Sequence, residues 1–325
     1  MYSLRVEYRR LGRSGLKVSS IALGSWLTYG NQVDSETSTA CVRRAFDLGV
    51  ILFDTADIYH VGAGETELGK ALDGITRSDY VLATKCFWPM SDNANNRGLS
   101  RKHVFESVEG SLRRLRTDYI DLYQCHRYDD DTPLEETLRA LDDLITQGKV
   151  LYAGISEWRP EQIQAAIEFA HEHDVDQIVS SQPQYSMLYR RIEKRVIPLC
   201  ETAGIGQLVW SPLAQGVLTG KYKPGEAPPP DSRAGDDRTN SSIGGFLSNE
   251  TLAAVQKLRP IAEGVGLTMS QLALAWILRQ PNVSACLVGA TRPEQVEDNV
   301  KASGVRLDEA TLDAIDAALA GVVNS

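Results

Sequence analysis

Four side chains suited to moving a proton stand at the ends of short apolar runs. Asp54 closes VILFD and leads through TADI to Tyr59, Lys85 closes YVLATK, and His126 closes YIDLYQCH. A phenol has an ordinary pKa of ~10 and donates poorly near neutrality, and a neighbouring ammonium is expected to lower that value. A carboxylate beside Lys85 would keep the ammonium charged, and a neutral His126 can donate a hydrogen bond to a substrate oxygen. Together the set suits protonation of a carbonyl oxygen as its carbon receives a hydride. Singly, each residue has a structural alternative. Asp54 fits a helix N-cap, Tyr59 a rim aromatic, Lys85 a solvated strand end and His126 a satisfied hydrogen-bonding group.

These residues need a scaffold that collects strand ends at one place. Candidate strands begin near Ser20 (SIALG), Val50 (VILFD), Tyr80 (YVLATK), Tyr119 (YIDLYQCH), Val150 (VLYAGIS), Gln177 (QIVSSQ), Gly206 (GQLVWSP) and Ser284 (SACLVG). Most starts are separated by about 30 residues, the length of a strand, a helix and two loops. Eight such units predict an α/β fold, a (β/α)8 TIM barrel, with a doubly wound open sheet as the alternative. The chain is read as one domain over residues 1–325. Residues 5–18 (RVEYRRLGRSGLKV) read as a hairpin turning between Gly12 and Gly15 and closing the barrel bottom. Leu134, Leu138, Leu141 and Ile145 make a helical stripe that starts after Thr132-Pro133 and ends before Gly148. Ser100 precedes a second helix with Val104, Val108, Leu112 and Leu115 on one face. Residues 212–248, rich in Pro, Gly, Asp and Ser, read as a long mobile loop after the seventh strand.

Composition narrows the function classes. The 325 residues carry 34 Lys plus Arg against 43 Asp plus Glu, a net charge of −9 that argues against bulk binding of nucleic acid or an anionic membrane. No apolar run reaches the ~18 residues of a membrane span, and Met1 to Arg10 lacks the apolar segment of a signal peptide. Cys41, Cys86, Cys125, Cys200 and Cys286 form no CxxC pair, which fits a reduced, cytoplasmic protein. No metal site is expected, because His171 and His173 fall on a helix surface and no HxxxH spacing occurs. The absence of GxSxG argues against a serine hydrolase.

The same residues resemble a known family, the aldo-keto reductases. YRRLGRSGLKVS at 8–19 is similar to its opening hairpin, and DTADIY at 54–59 to the segment that holds two of its four catalytic residues, with Lys85 and His126 matching the other two. The resemblance covers residues 8–319. Within the family, RGLSRKHVFESVEGSLRRLRTDYIDLY and WSPLAQGVLTGKY resemble the branch of the voltage-gated potassium-channel β subunits and their bacterial glyceraldehyde-3-phosphate-reductase-like relatives. The channel subunits carry Asn where this chain has His126, a departure toward a working reductase.

The resemblance implies NADPH/NADP+ as cofactor, held across the barrel mouth without a GxGxxG fingerprint. Ser156 and Gln182 would bond the nicotinamide amide, with Trp210 stacked beneath the ring and Asp54, Trp26 and Gln32 on the same side. Ser211, Pro212, Leu213 and Gly216 would line the pyrophosphate, with Lys221 and Arg233 reaching in from the loop. Gly289, Thr291, Gln295, Asp298 and Asn299 would hold the adenosine end. Thr291 lies just before a helix beginning near Pro293, whose N-terminus favours phosphate, and Arg292, Arg233 and Lys221 supply charge for a 2′-phosphate. Glu157 replaces an Arg of the channel subunits. The implied function is reduction of aldehydes and some ketones, with Tyr59 as general acid. A carbonyl substrate would sit against Trp26, Tyr59, Trp88 and His126, with Tyr29, Arg127 and Tyr128 nearby. The alternative is an NADP(H)-binding redox sensor or accessory subunit with slow turnover. A homo-oligomer, tetramer or larger, is the expected assembly.

Overall fold

The structure, a computed structural model, describes residues 6–26, 28–30, 33–236, 240 and 243–325. The eight expected strands are present and close into a parallel barrel. They are β3 (Ile21–Gly24), β4 (Leu52–Asp54), β5 (Val81–Cys86), β6 (Ile120–Cys125), β7 (Val150–Ser156), β8 (Ser180–Gln182), β9 (Gly206–Trp210) and β10 (Val283–Val288), each paired with its sequence neighbour and β10 returning to β3. Every β5, β6 and β10 residue is buried, as expected of parallel strands covered on both faces. β8 is shorter than its apolar run. Its regular pairing with β7 begins only at Ser180.

Two apolar layers hold this shape. Inside the barrel, Ala22, Leu52, Ala83, Leu122, Leu208 and Ala285 pack together with Leu11 and Val18. The last two come from the hairpin of β1 (Tyr8–Arg10) and β2 (Lys17–Ser19), which therefore plugs the bottom as the sequence predicted. Gly12 makes the plug possible. Its φ is +58°, and a Cβ there would lie 2.1 Å from the carbonyl oxygen of Gly204, at the entry to β9.

The outer layer packs helices on strands. Helix α1 is Ser35–Asp47, α2 Ala63–Leu72, α3 Arg101–Leu115, α4 Leu134–Thr146 and α5 Pro160–His173. The Ser100 hydroxyl accepts the His103 N–H and caps α3, a contact worth about 1 kcal/mol, and all four predicted apolar positions of that helix are buried. In α4, Leu138, Leu141 and Leu144 are buried, with Leu134 and Ile145 packed at the edge. The second half adds α6 (Val196–Ala203), α7 (Asn249–Gln256), α8 (Leu258–Gly264), α9 (Met269–Leu278), α10 (Pro293–Val300) and α11 (Glu309–Leu319). Among the described residues, no single helix is long and apolar enough to cross a membrane.

The segment after β9 departs from the expected open loop. Short 3-10 turns occupy Ala214–Thr219, Arg233–Gly235 and Gly244–Phe246, and Ala214, Val217, Leu218, Tyr222 and Ile243 are buried in the outer core. Apolar residues scattered through the Pro- and Gly-rich stretch anchor it to the barrel.

Candidate active site

Parallel strands deliver their carboxyl ends to one face, and a cavity of about 830 Å³ opens there. Its size suits a small-molecule or cofactor site. Asp54, Tyr59 and His126 line it, with Lys85 fully buried beneath.

Lys85 organises the centre. Its ammonium donates to Asp54 Oδ1 at 2.6 Å, to the Thr55 carbonyl at 2.7 Å and to the Tyr59 hydroxyl oxygen at 3.4 Å. Burial pulls the Lys85 pKa down, but Asp54 and Tyr59 together raise it above its ordinary value, so the amine stays charged. The second Asp54 oxygen accepts from Gln182 Nε2 at 2.8 Å and Gln124 Nε2 at 3.3 Å. Each carboxylate oxygen therefore has a donor, as a buried charge requires.

For Tyr59 the structure corrects the expected direction. Burial raises its pKa by more than the Lys85 ammonium lowers it, so the net shift is upward. His126 meets Tyr59 edge to face, ring centres 5.8 Å apart. Burial, Lys85 and Arg127 hold its pKa well below the ordinary value, so the imidazole is neutral, and its Nδ1 is buried without a partner among the described residues. The chain just after Tyr59 is strained. His60 and Val61 both have φ near +50°, a left-handed conformation that a β-branched residue rarely adopts.

Several contributors escaped sequence reasoning. Glu65 of α2, fully buried, accepts from the Thr84 hydroxyl and from Arg114 Nε, both at 2.6 Å, and so ties α2 and α3 to the residue before Lys85. Asp57 is also buried, with Ser107 donating to one oxygen. Their only signal in the sequence was an acid within the strand-to-helix stretch. Burial, helped by the Glu65 charge, pushes the Asp57 carboxyl up to about 7 against the pull of Ser107 and Arg114. The native state thus binds this proton more tightly than the unfolded chain does. Its contribution is fully present below about pH 4 and is lost as pH rises towards 7. Asp57→Asn should abolish that loss, on the order of 4 kcal/mol across the window. Urea unfolding of both proteins from pH 4 to 8 checks this, and parallel curves would refute it.

The remaining predicted residues fall into groups around the cavity. Ser156 and Gln182 line one wall, with the Ser156 hydroxyl donating to the Gln182 carbonyl at 2.8 Å. The Gln182 amide is turned onto Asp54, a link the sequence did not suggest. Trp26 and Trp210 meet edge to face at 5.8 Å. Ser211, Pro212, Leu213 and Gly216 follow on the rim. There Ser211, Ala214, Gln215 and Gly216 all have positive φ, the kind of backbone that forms an anion-binding concavity. Gly216 leaves room for Lys221, whose Nζ would lie 3.4 Å from a Cβ at that position.

Arg233 bonds Gln215 and faces the Trp26 ring, and burial lowers its pKa. At the far end, Gly289, Thr291, Gln295, Asp298 and Asn299 line the cavity beside the α10 N-terminus, where Gln295 Oε1 accepts the Thr291 N–H at 2.8 Å. The Asp298 carboxylate is engaged with Thr268 and Gln271 at the start of α9. Trp88, 37% exposed, lines the mouth with its ring 6.3 Å from that of His126, and Arg127 lines it too. Tyr29 belongs instead to the core at 1% exposure, and Tyr128 packs on Trp158. Gln32 lies outside the described residues.

Comparison with known proteins agrees with the barrel fold. A family model described as "Aldo/keto reductase family" matches residues 20–320. A "probable voltage-gated potassium channel subunit beta" of Oryza sativa subsp. japonica and one of Arabidopsis thaliana are each 43% identical over 303 residues, 92% of this chain and 92% of theirs. A "putative voltage-gated potassium channel subunit beta" of Schizosaccharomyces pombe is 45% identical over 306 residues, 91% of this chain and 88% of its own. The chain thus belongs to the aldo/keto reductase family, oxidoreductases that work with a nicotinamide dinucleotide.

Proposed function

We propose that the chain is an NADPH-dependent reductase of aldehydes and some ketones, with Tyr59 as general acid assisted by Lys85, Asp54 and His126. The observation that carries this reading is the Lys85 ammonium, held between Asp54 Oδ1 and the Tyr59 hydroxyl at the floor of the cavity. When bound, NADPH supplies a hydride to a carbonyl carbon. Tyr59 then gives its hydroxyl proton to the carbonyl oxygen, and the phenolate left behind is balanced by Lys85. Neutral His126 orients that oxygen with a hydrogen bond, and Trp88 offers the substrate an aromatic wall.

The cavity fits the dinucleotide in its chemistry. Ser156, whose hydroxyl donates to the Gln182 carbonyl, has lone pairs left to accept from the carboxamide N–H, and Trp210 offers an aromatic face. The left-handed run around Gln215 and the Lys221 ammonium suit the pyrophosphate. Lys221, Arg233 and Arg292 all line the same cavity, beside Asp231, Glu294 and an Asp298 engaged by Thr268 and Gln271, and offer donors that favour the 2′-phosphate of NADPH over NADH. On this reading the chain is a single domain over 1–325 that works in the cytoplasm on a small carbonyl substrate, as a tetramer or larger homo-oligomer.

The names of the relatives favour a second reading, an NADP(H)-binding sensor or accessory subunit with slow turnover. The test is loss of reduced-nicotinamide absorbance across a small aldehyde panel. The reductase reading expects turnover with NADPH, and kcat/KM with NADH lower by about tenfold or more. Tight NADPH binding with no turnover on any aldehyde would overturn it in favour of the sensor.

A further inference from the structure

The platform at the end of β9 is held by a residue from a different strand. Trp210 is the last residue of β9, and its indole lines the cavity. The ring is half-buried, meets Trp26 edge to face and packs against the inner apolar layer, while its one polar atom needs an acceptor. Its Nε1–H donates to Glu157 Oε1 at 2.8 Å. The same oxygen accepts the backbone N–H of Gln184 at 2.6 Å. Gln184 in turn bridges to Trp210 beyond the end of β8, where the Trp210 N–H also donates to the Pro183 carbonyl at 3.1 Å. One carboxylate oxygen thus links the ends of β7, β8 and β9.

Its backbone bears a cost for this. Glu157 directly follows Ser156 and has φ +58°, a left-handed conformation that side chains seldom adopt. Such strain persists only where surrounding contacts over-determine it. Here those contacts are two hydrogen bonds to a carboxylate, each stronger than a neutral one.

We propose that Glu157 is a positioning residue for the cofactor: its carboxylate fixes the Trp210 indole as the face on which the nicotinamide end packs. The proposal rests on the cofactor reading given above. The residue touches neither the reacting carbonyl nor the proton path, so it acts through the ring it holds. An acceptor oxygen is what the site requires. Glutamine supplies one without charge, and alanine supplies none.

The first readout needs no cofactor. In ¹⁵N–¹H spectra of the ligand-free protein, with the Trp210 indole N–H assigned by its loss in Trp210→Phe, that proton should exchange slowly. Glu157→Ala should speed its exchange by about tenfold or more, and Glu157→Gln should keep it within about threefold of wild type. Titration with NADPH should then give Kd about tenfold higher for Glu157→Ala and near wild type for Glu157→Gln. In turnover, KM for NADPH should rise with kcat changed little. Rapid exchange of the Trp210 N–H in wild type would overturn the proposal, as would unchanged NADPH affinity in Glu157→Ala. In both cases the cofactor reading would stand. Failure of wild type to bind NADPH at all would remove both. Should Glu157→Ala fail to fold, Glu157→Gln decides: slow exchange with retained affinity supports the proposal, and fast exchange with retained affinity overturns it.

Discussion

Tyr59→Phe should lower kcat for NADPH-dependent aldehyde reduction by about 10²–10⁴-fold, the usual contribution of one positioned acid, while NADPH affinity changes little. The substitution removes one oxygen. The ring remains edge-on to His126, and Lys85 keeps its bonds to Asp54 and the Thr55 carbonyl. Only the proton donor is lost, so the effect belongs to kcat. The pH profile carries the same argument. Burial holds the Tyr59 pKa above its ordinary value, so the phenol is protonated across the neutral range. His126 is neutral there too, since its pKa lies well below the usual histidine range. Wild-type kcat should therefore be flat from pH 6.5 to 8. Steady-state rates of both proteins across that range are the measurement, and a variant that kept most of its activity would end the assignment of Tyr59.

Most of the scaffold was legible because a parallel barrel repeats its pattern. Each strand is a short apolar run, and each run ends at the same face, so the last residues of VILFD, YVLATK and YIDLYQCH bring Asp54, Lys85 and His126 to one place. Gly12 was legible as a turn for a similar local reason. What escaped depends on environment and not on residue type. Lys85 beside Tyr59 suggested a lowered phenol pKa, but the cost of taking a phenolate out of water exceeds that attraction, and only the burial of the site reveals this. Gln182 was legible as a cavity residue, yet its turn onto Asp54 follows from two strand ends meeting across the barrel. Residues 212–248 looked like a free loop, because Val217, Leu218, Tyr222 and Ile243 are too scattered among Pro and Gly to show a period. Glu157 drew attention as a departure from a related pattern, and its bond to Trp210 spans 53 residues of sequence.

Lys85→Met should destabilise the fold by about 3–5 kcal/mol. The methionine fills a similar volume, so the loss is electrical. Asp54, at 3% exposure, would lose its cation and keep only the amides of Gln182 and Gln124 as donors. The Thr55 carbonyl would also lose its donor. Adding Asp54→Asn removes the acid left without its cation, so the double variant should recover part of the loss although it differs from wild type at two positions. Activity should not follow. With Lys85 absent, the phenolate formed at Tyr59 has no cation beside it, and both variants should reduce aldehydes far more slowly than wild type. Urea unfolding of wild type, Lys85→Met and Asp54→Asn/Lys85→Met separates the two roles. A double variant no more stable than Lys85→Met would show that the unpaired acid is not what destabilises Lys85→Met, and the electrostatic account of this pair would fall.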